Sequence, residues 1–145
     1  VSFAGVLGHS QDLEVVLAAA ALLKEKADIR WVIVGDGVRK QGLEELVAKR
    51  HLTNVHFVSM MPRDDYPEVL YASDVCLANL KANVKTSVVP SKILSIMAAA
   101  RPVVATMDPA GDALVAHRAV GVEPDERGFA QAVDPLLERA DAVAE

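Results

Sequence analysis

Ser87-Val-Val-Pro-Ser-Lys-Ile-Leu-Ser-Ile-Met-Ala-Ala-Ala-Arg-Pro-Val-Val-Ala-Thr106 joins a helix-start signal, a lysine and a strand in one short stretch. Pro90 leads into Ser91, a favoured N-cap type, and good helix formers follow until the Arg101-Pro102 step, where proline disfavours helix at the residue before it. The pattern predicts a helix over Lys92–Ala100 and a strand over Pro102–Thr106. Ile93, Leu94, Ile96, Met97 and Ala98 to Ala100 make the helix apolar almost all round, so burial on more than one side is expected. Its start is polar and positive. A helix N-terminus presents unpaired N–H groups and partial positive charge, and Ser91 and Lys92 add a hydroxyl and an ammonium there, which is what a phosphate needs. A serine before a helix is usually only a cap, however, and a first-turn lysine usually only solvated. The stretch alone does not decide between these readings; the pattern of the whole chain does.

Outward from this stretch, short apolar runs bounded by turn residues alternate along the chain with segments of three- to four-residue apolar spacing. Strands are expected at Val1–Val6, Arg30–Val34, Asn54–Val58, Asp74–Ala78, Pro102–Thr106 and Val120–Val122. Helices are expected from Leu13 to about Glu25, Val38 to Arg50, Asp64 or Asp65 to Tyr71, Lys92 to Ala100, Gly111 to His117, and Asp125 to about Ala140, the last kinked at Pro135. Six strands alternating with six helices imply an α/β fold, a doubly wound parallel six-stranded sheet, Rossmann-like, in the order 3-2-1-4-5-6. Ligands of such sheets bind outside the carboxyl ends of the strands. Here those ends carry the loops 7–12, 35–40, 59–63, 79–91 and 107–112.

At 145 residues, about half of them apolar, the chain suffices for one domain with a real core. A net charge of −5 with scattered lysines and arginines argues against nucleic acid or an anionic membrane as partner, so an anion site must be local. The single cysteine, Cys76, lies in an apolar run and reads as a buried thiol in a reducing, cytoplasmic compartment. Neither a signal peptide nor a membrane span is visible. The chain opens without methionine inside an apolar stretch, Val1-Ser-Phe-Ala-Gly5, and is expected to be a fragment of something longer.

Several familiar sites can be set aside. Gly35-Asp-Gly-Val-Arg-Lys40 places lysine where the third glycine of a dinucleotide fingerprint would stand, and no acid follows the next strand, so a nicotinamide or flavin site is rejected. Gly35 and Gly37 then read first as a tight strand-to-helix turn. His9, His51, His56 and His117 lack ligand spacing, so no metal site is expected; His9, in a ligand-side loop, is the one to watch. Neither a nucleophile elbow nor a P-loop is present.

The succession Phe3-Ala-Gly-Val-Leu-Gly-His-Ser-Gln-Asp-Leu13, Trp31-Val-Ile-Val-Gly-Asp-Gly37, Asn54-Val-His-Phe57, Leu70-Tyr-Ala-Ser-Asp-Val75, Pro90-Ser-Lys-Ile-Leu-Ser-Ile-Met-Ala98 and Arg101-Pro-Val-Val-Ala105 resembles the carboxy-terminal domain of retaining GT-B glycosyltransferases of family 4. It is most similar to the bacterial polysaccharide enzymes, including the N-acetylfucosaminyl transferase type, that carry Pro-Ser-Lys before the helix. The resemblance implies a donor domain for a nucleotide sugar, a UDP-sugar above others, working without metal or other cofactor. The sugar would pass to a saccharide or lipid-linked acceptor held by an amino-terminal domain that preceded Val1. The intact enzyme would act in the cytoplasm, at the cytoplasmic face of the membrane.

By the same resemblance, the loop with Gly5, Gly8 and Gln11 would face the diphosphate together with Pro90, Ser91 and Lys92, the last as the catalytic cation. Gly35, Gly37 and Lys40 would lie near it, and Met60, Met61 and Pro62 near the base. The chain also departs from the family. Ser87 and Ser95 stand where many members have glutamates, and Val6 and Gln11 occupy the neighbourhood of an early basic residue, which shifts phosphate neutralisation onto Lys92. Two other readings share the winding: a nucleotide- or phosphate-binding regulatory domain, and half of a sugar-nucleotide 2-epimerase. An epimerase should bring proton-transfer carboxylates to the cleft, and the 79–91 loop supplies none.

Overall fold

A computed structural model describes residues 1–81, 84, 91–106, 119–121 and 126–144. Within these, β1 (Ser2–Ala4), α1 (Leu13–Leu22), β2 (Trp31–Val34), α2 (Lys40–Lys49), β3 (Val55–Val58), α3 (Tyr66–Tyr71), β4 (Cys76–Asn79), α4 (Ser91–Ala98), β5 (Val103–Thr106), β6 (Ala119–Gly121) and α5 (Glu126–Ala144) follow in order. The strands form one sheet ordered β3-β2-β1-β4-β5-β6, and every pairing is parallel. This is the expected order, with β1 central. Its register sets Phe3 beside Ile33 and Ala4 beside Val34. The expected helix over 111–117 and Pro90, Ser87 and Lys85 lie outside the described residues.

Strand alternation divides the core in two. Phe3, Ile33, Leu77 and Val104 face α1 and α5, where they meet Leu13, Val16, Leu17, Ala20 and Val133. Cys76, Ala78, Val103 and Ala105 point the other way, to Leu70 of α3 and to Ile93 and Ile96 of α4. α4 is therefore less enclosed than its composition suggests. Ile93 and Ile96 are buried but Leu94 is half exposed, because the helix covers one face of the sheet and no described element covers its back.

Other boundaries shift for local reasons. α1 ends at Leu22 instead of Glu25, since the polar run Lys24-Glu25-Lys26 has no apolar face to bury and turns instead. Ser91 begins α4 instead of preceding it, and Asp65 sits before α3 without a capping side-chain bond. Pro135 lies within α5, which continues past it to Ala144.

Three helix ends use the left-handed region without glycine, Asp12 at the start of α1 (φ 34°) and two at carboxyl ends. His51 follows α2 at φ 52°, and Ala100 follows α4 at φ 55°. At Ala100, the Arg101 N–H donates to the Ile96 carbonyl (3.2 Å), the bond that closes a Schellman turn around a left-handed residue. The helix stop thus rests on this turn as well as on Pro102.

The loops after β1 and β2 interlock. Gly35 has φ +150°, and a Cβ there would lie 1.9 Å from the Gly5 carbonyl oxygen; at Gly37 (φ +151°) it would lie 2.5 Å from the Leu7 oxygen. Neither site admits a side chain, for conformational and steric reasons together. Two opposite effects are expected in chemical denaturation. Gly35→Ala should lose roughly 3 to 5 kcal/mol of stability, whereas Ala100→Gly should gain about 0.5 to 1 kcal/mol by relieving the left-handed alanine. An unchanged midpoint for the first, or a loss for the second, would contradict this geometry.

Candidate functional site

The carboxyl edge of the sheet carries most of the residues marked out by sequence. The first loop is tied on both sides: Gly5 N–H donates to the Val34 carbonyl (2.9 Å), Leu7 N–H to Asp36 (2.8 Å) and Arg39 N–H to Leu7 (3.1 Å). Toward β4, Lys81 N–H donates to the Ser10 carbonyl (2.9 Å), and the buried Asn79 amide donates to the Gln11 carbonyl. Arg39 also pairs with Glu14, fixing the start of α2 against the first turn of α1. The loop is thereby a rigid bridge between the two halves of the sheet.

Lys92 reaches this bridge from α4. Its neighbours Ile93 and Ile96 belong to one core face while Phe3 belongs to the other, so the lysine stem crosses the end of the sheet to lie against β1. There Nζ sits 3.5 Å from the centroid of the Phe3 ring. A Cβ on Gly5 would stand 2.9 Å from Nζ, so the missing side chain is what makes room for it. Burial pushes the Lys92 amine down to about 8, and burial is the sole cause of that shift. Among the described residues no carboxylate pairs with it. The lysine is partly buried and, among the described residues, not neutralised by an ion pair: it is a partly desolvated cation at the N-terminus of a helix, facing the sheet edge where β1 and β4 part.

The other predicted residues divide into those brought to this cluster and those that are not. Gly5, Gly35 and Gly37 lie together through the interlock described above. Gly8 and Gln11 belong to the same loop; the Gln11 side chain donates to Ser10 Oγ (3.4 Å) and its carbonyl accepts from Asn79. Ser91 opens α4, exposed, and its carbonyl accepts from Ser95 Oγ (3.4 Å), so the Ser95 hydroxyl is engaged within the helix. Lys40 points back to Asp36 at 3.7 Å. Met60, Met61 and Pro62 follow β3, two strands from β1 and so about 10 Å away at ordinary strand spacing. His9 is exposed on the bridge loop. Cys76 is buried and free, and burial pushes its thiol up, which suits an inert core residue.

Two residues were not singled out as site residues. Phe3 reads as plain core, yet the glycine just past the end of its strand leaves room beside the ring, and an aromatic two positions before a glycine is the signal. Asn79 is 1 % exposed and its Oδ1 has no partner among the described residues. Nothing in an apolar strand end announced it.

The edge is also unusually apolar outside: Val6, Val38 and Met60 are 63 %, 78 % and 49 % exposed on the loops after β1, β2 and β3.

The family described as Glycosyl transferases group 1 matches residues 1–139. Among curated relatives, the Escherichia coli (strain K12) protein WcaI, named as a colanic acid biosynthesis glycosyl transferase, is 34% identical over 98 residues, covering 68% of this chain and 24% of that protein. The 2-deoxystreptamine glucosyltransferase of Streptomyces kanamyceticus is 33% identical over 79 residues, 53% of this chain and 20% of that one. The chain thus spans about a quarter or less of the length of these relatives. In fold it resembles Anabaena HepE, solved in complex with UDP, at a TM-score of 0.76 and 19% identity over 94% of this chain and 38% of that chain. The catalytic domain of the Helicobacter pylori cholesterol-alpha-glucosyltransferase superposes equally well, with a TM-score of 0.76 at 16% identity over 94% of this chain and 86% of that one. The parallel sheet, the glycine-lined carboxyl edge and the match across residues 1–139 together make this chain a member of the group 1 glycosyl transferases.

Proposed function

We propose that this chain is the donor-nucleotide domain of a retaining GT-B glycosyltransferase of family 4, of the bacterial polysaccharide type, and that Lys92 and the N-terminus of α4 hold the diphosphate of a UDP-sugar. The observation that carries the reading is the Lys92 ammonium, partly buried on the Phe3 ring at the sheet edge with no carboxylate partner among the described residues. A departing nucleoside diphosphate gains negative charge, and a cation fixed beforehand beside helix N–H groups stabilises that charge more than it stabilises the ground state. Gly5 and Gly8 leave the bridge loop bare enough for phosphate oxygens to approach its backbone. Met60, Met61 and Pro62 would flank the base. Chemistry on such a fold takes place between two domains, and the exposed Val6, Val38 and Met60 suit an edge that meets an acceptor-binding domain. The acceptor would be a saccharide or a lipid-linked saccharide.

Isothermal titration of UDP and ADP tests the phosphate site. Lys92→Ala should weaken UDP binding by about ten- to a hundredfold, equivalent to roughly 1.5 to 3 kcal/mol, while Lys49→Ala at the far end of α2 should change it little. Equal effects of the two substitutions, or no binding of either nucleotide by the unmodified protein, would sink the assignment. The 145-residue chain should bind without transferring sugar, and measurable turnover by it alone would refute the two-domain requirement.

Lys92 should also cost stability. Its folded pKa of about 8 lies below the ordinary lysine value of 10.5, so the unfavourable contribution is fully present below pH 8 and fades as pH rises to about 10.5, above which the amine is neutral in both states. Attraction to the Phe3 ring returns part of the cost. Lys92→Met should therefore be more stable than the parent by about 1 to 3 kcal/mol at pH 7, with the gap closing between pH 8 and 10.5. A variant less stable at pH 7, or a gap independent of pH, would show that the ammonium is not desolvated.

A further inference from the structure

We infer that Phe3 is a positioning residue: its ring, with the bare Cα of Gly5, seats the Lys92 ammonium at the carboxyl edge of β1 and holds it ready for the phosphate. This rests on the reading of Lys92 as the diphosphate cation.

A lysine stem has four rotatable carbons, and confining it costs conformational entropy that is paid at binding unless the free protein has already paid it. Among the described residues Lys92 has no ion pair to confine it. No carboxylate, histidine or second cation among the described residues faces its ammonium from β1, from β4 or from α4 itself, and the nearest polar side chains on α4, Ser91 and Ser95, carry no charge. What remains is the ring. Phe3 is 1 % exposed, and its partner in register is Ile33 on β2, so it is locked into the central strand and cannot follow the lysine if the lysine moves. The distance of 3.5 Å from Nζ to the centroid puts the cation on the ring face, where the quadrupole attracts it. Gly5 lies just past the end of β1, and its missing side chain opens the space that Nζ occupies.

An aromatic seat differs from a carboxylate seat in a way that matters for an anion. A carboxylate would hold the lysine equally still but would neutralise it and repel the incoming phosphate. The ring holds it and leaves its charge unspent. The seat is also directional, since the ring occupies one side of the ammonium and leaves N–H groups on the others for phosphate oxygens.

The seat is tested without ligand by labelling the protein with [ε-13C]lysine and following the Lys92 resonance, assigned by its loss in Lys92→Arg, through a pH titration. In the unmodified protein the Lys92 ε-protons should show an upfield ring-current shift and the resonance should titrate near 8. In Phe3→Leu and Phe3→Met, which keep apolar volume, the lysine should leave for solvent and titrate near the ordinary lysine value of about 10.4; Phe3→Tyr should restore the unmodified behaviour. UDP affinity at pH 7 should fall roughly three- to tenfold in the Leu and Met variants and return in the Tyr variant. The alkaline loss of affinity should move upward in pH with the amine. Absence of the ring-current shift in the unmodified protein overturns the proposal even if no variant folds. So does a Leu or Met variant whose lysine titrates at or below the unmodified value. Failure of UDP to bind the unmodified protein removes the phosphate reading alone, because the titration decides the seat separately.

Discussion

Any side chain at position 35 would collide with the carbonyl of Gly5, and the carboxyl edge of the sheet is built on that exclusion. Because β1 and β2 are parallel neighbours in register, their outgoing loops leave side by side and must either splay or interlock. Gly35 and Gly37 let them interlock, backbone against backbone. The Leu7 N–H and carbonyl then bond to Asp36 and Arg39 in the second loop, while Asn79 and Lys81 hold the first loop from the β4 side. With β1 central, the bridge loop spans the line where chain connections diverge to either side, which is where doubly wound sheets bind ligands. The position of Gly5, and so the space that Lys92 fills, follows from that interlock.

Against this rigid edge the chain places a charge that the fold does not need. A methionine would fill the same channel without desolvating an ammonium, and the energetics of folding favour it. Sites that run against stability in this way are typically functional ones. Here the conflict sits at a helix N-terminus, in a member of the group 1 glycosyl transferases, and the proposed diphosphate would resolve it by supplying the missing anion. Binding and folding thus pull Lys92 in opposite directions.

The order of strands and helices was legible because the short β-branched runs Trp31–Val34 and Val103–Thr106 are bounded by glycine or proline, while helices such as α1 carry a three- to four-residue apolar period. The central place of β1 followed from the strand–helix alternation and right-handed crossovers of a doubly wound sheet. Boundaries were less legible. The stop of α4 looked like the work of Pro102, and the Schellman turn at Ala100 was hidden because its usual signature is a glycine that this chain lacks. The stop of α1 at Leu22 depends on which apolar residues find partners, a tertiary matter. At the site, Lys92 and the glycines were legible as types at a strand end. The contact between Lys92 and Phe3 was not, since it joins residues 89 positions apart across the end of the sheet, and no local pattern records such a crossing. Asn79 escaped notice for the same reason: its partner is a backbone carbonyl in a loop 68 residues earlier.

The most direct test of Lys92 as the anion-holding cation is a crystal structure of the protein with UDP. The diphosphate oxygens should lie about 3 Å from Lys92 Nζ and from the first N–H groups of α4, with the nucleoside running over the loop after β2 toward Met60 and Pro62. Density for the nucleotide elsewhere would contradict that role. One such place is the shallow groove lined by Ala18, Leu22, Lys24 and Arg50 toward the carboxyl ends of α1 and α2, away from Lys92.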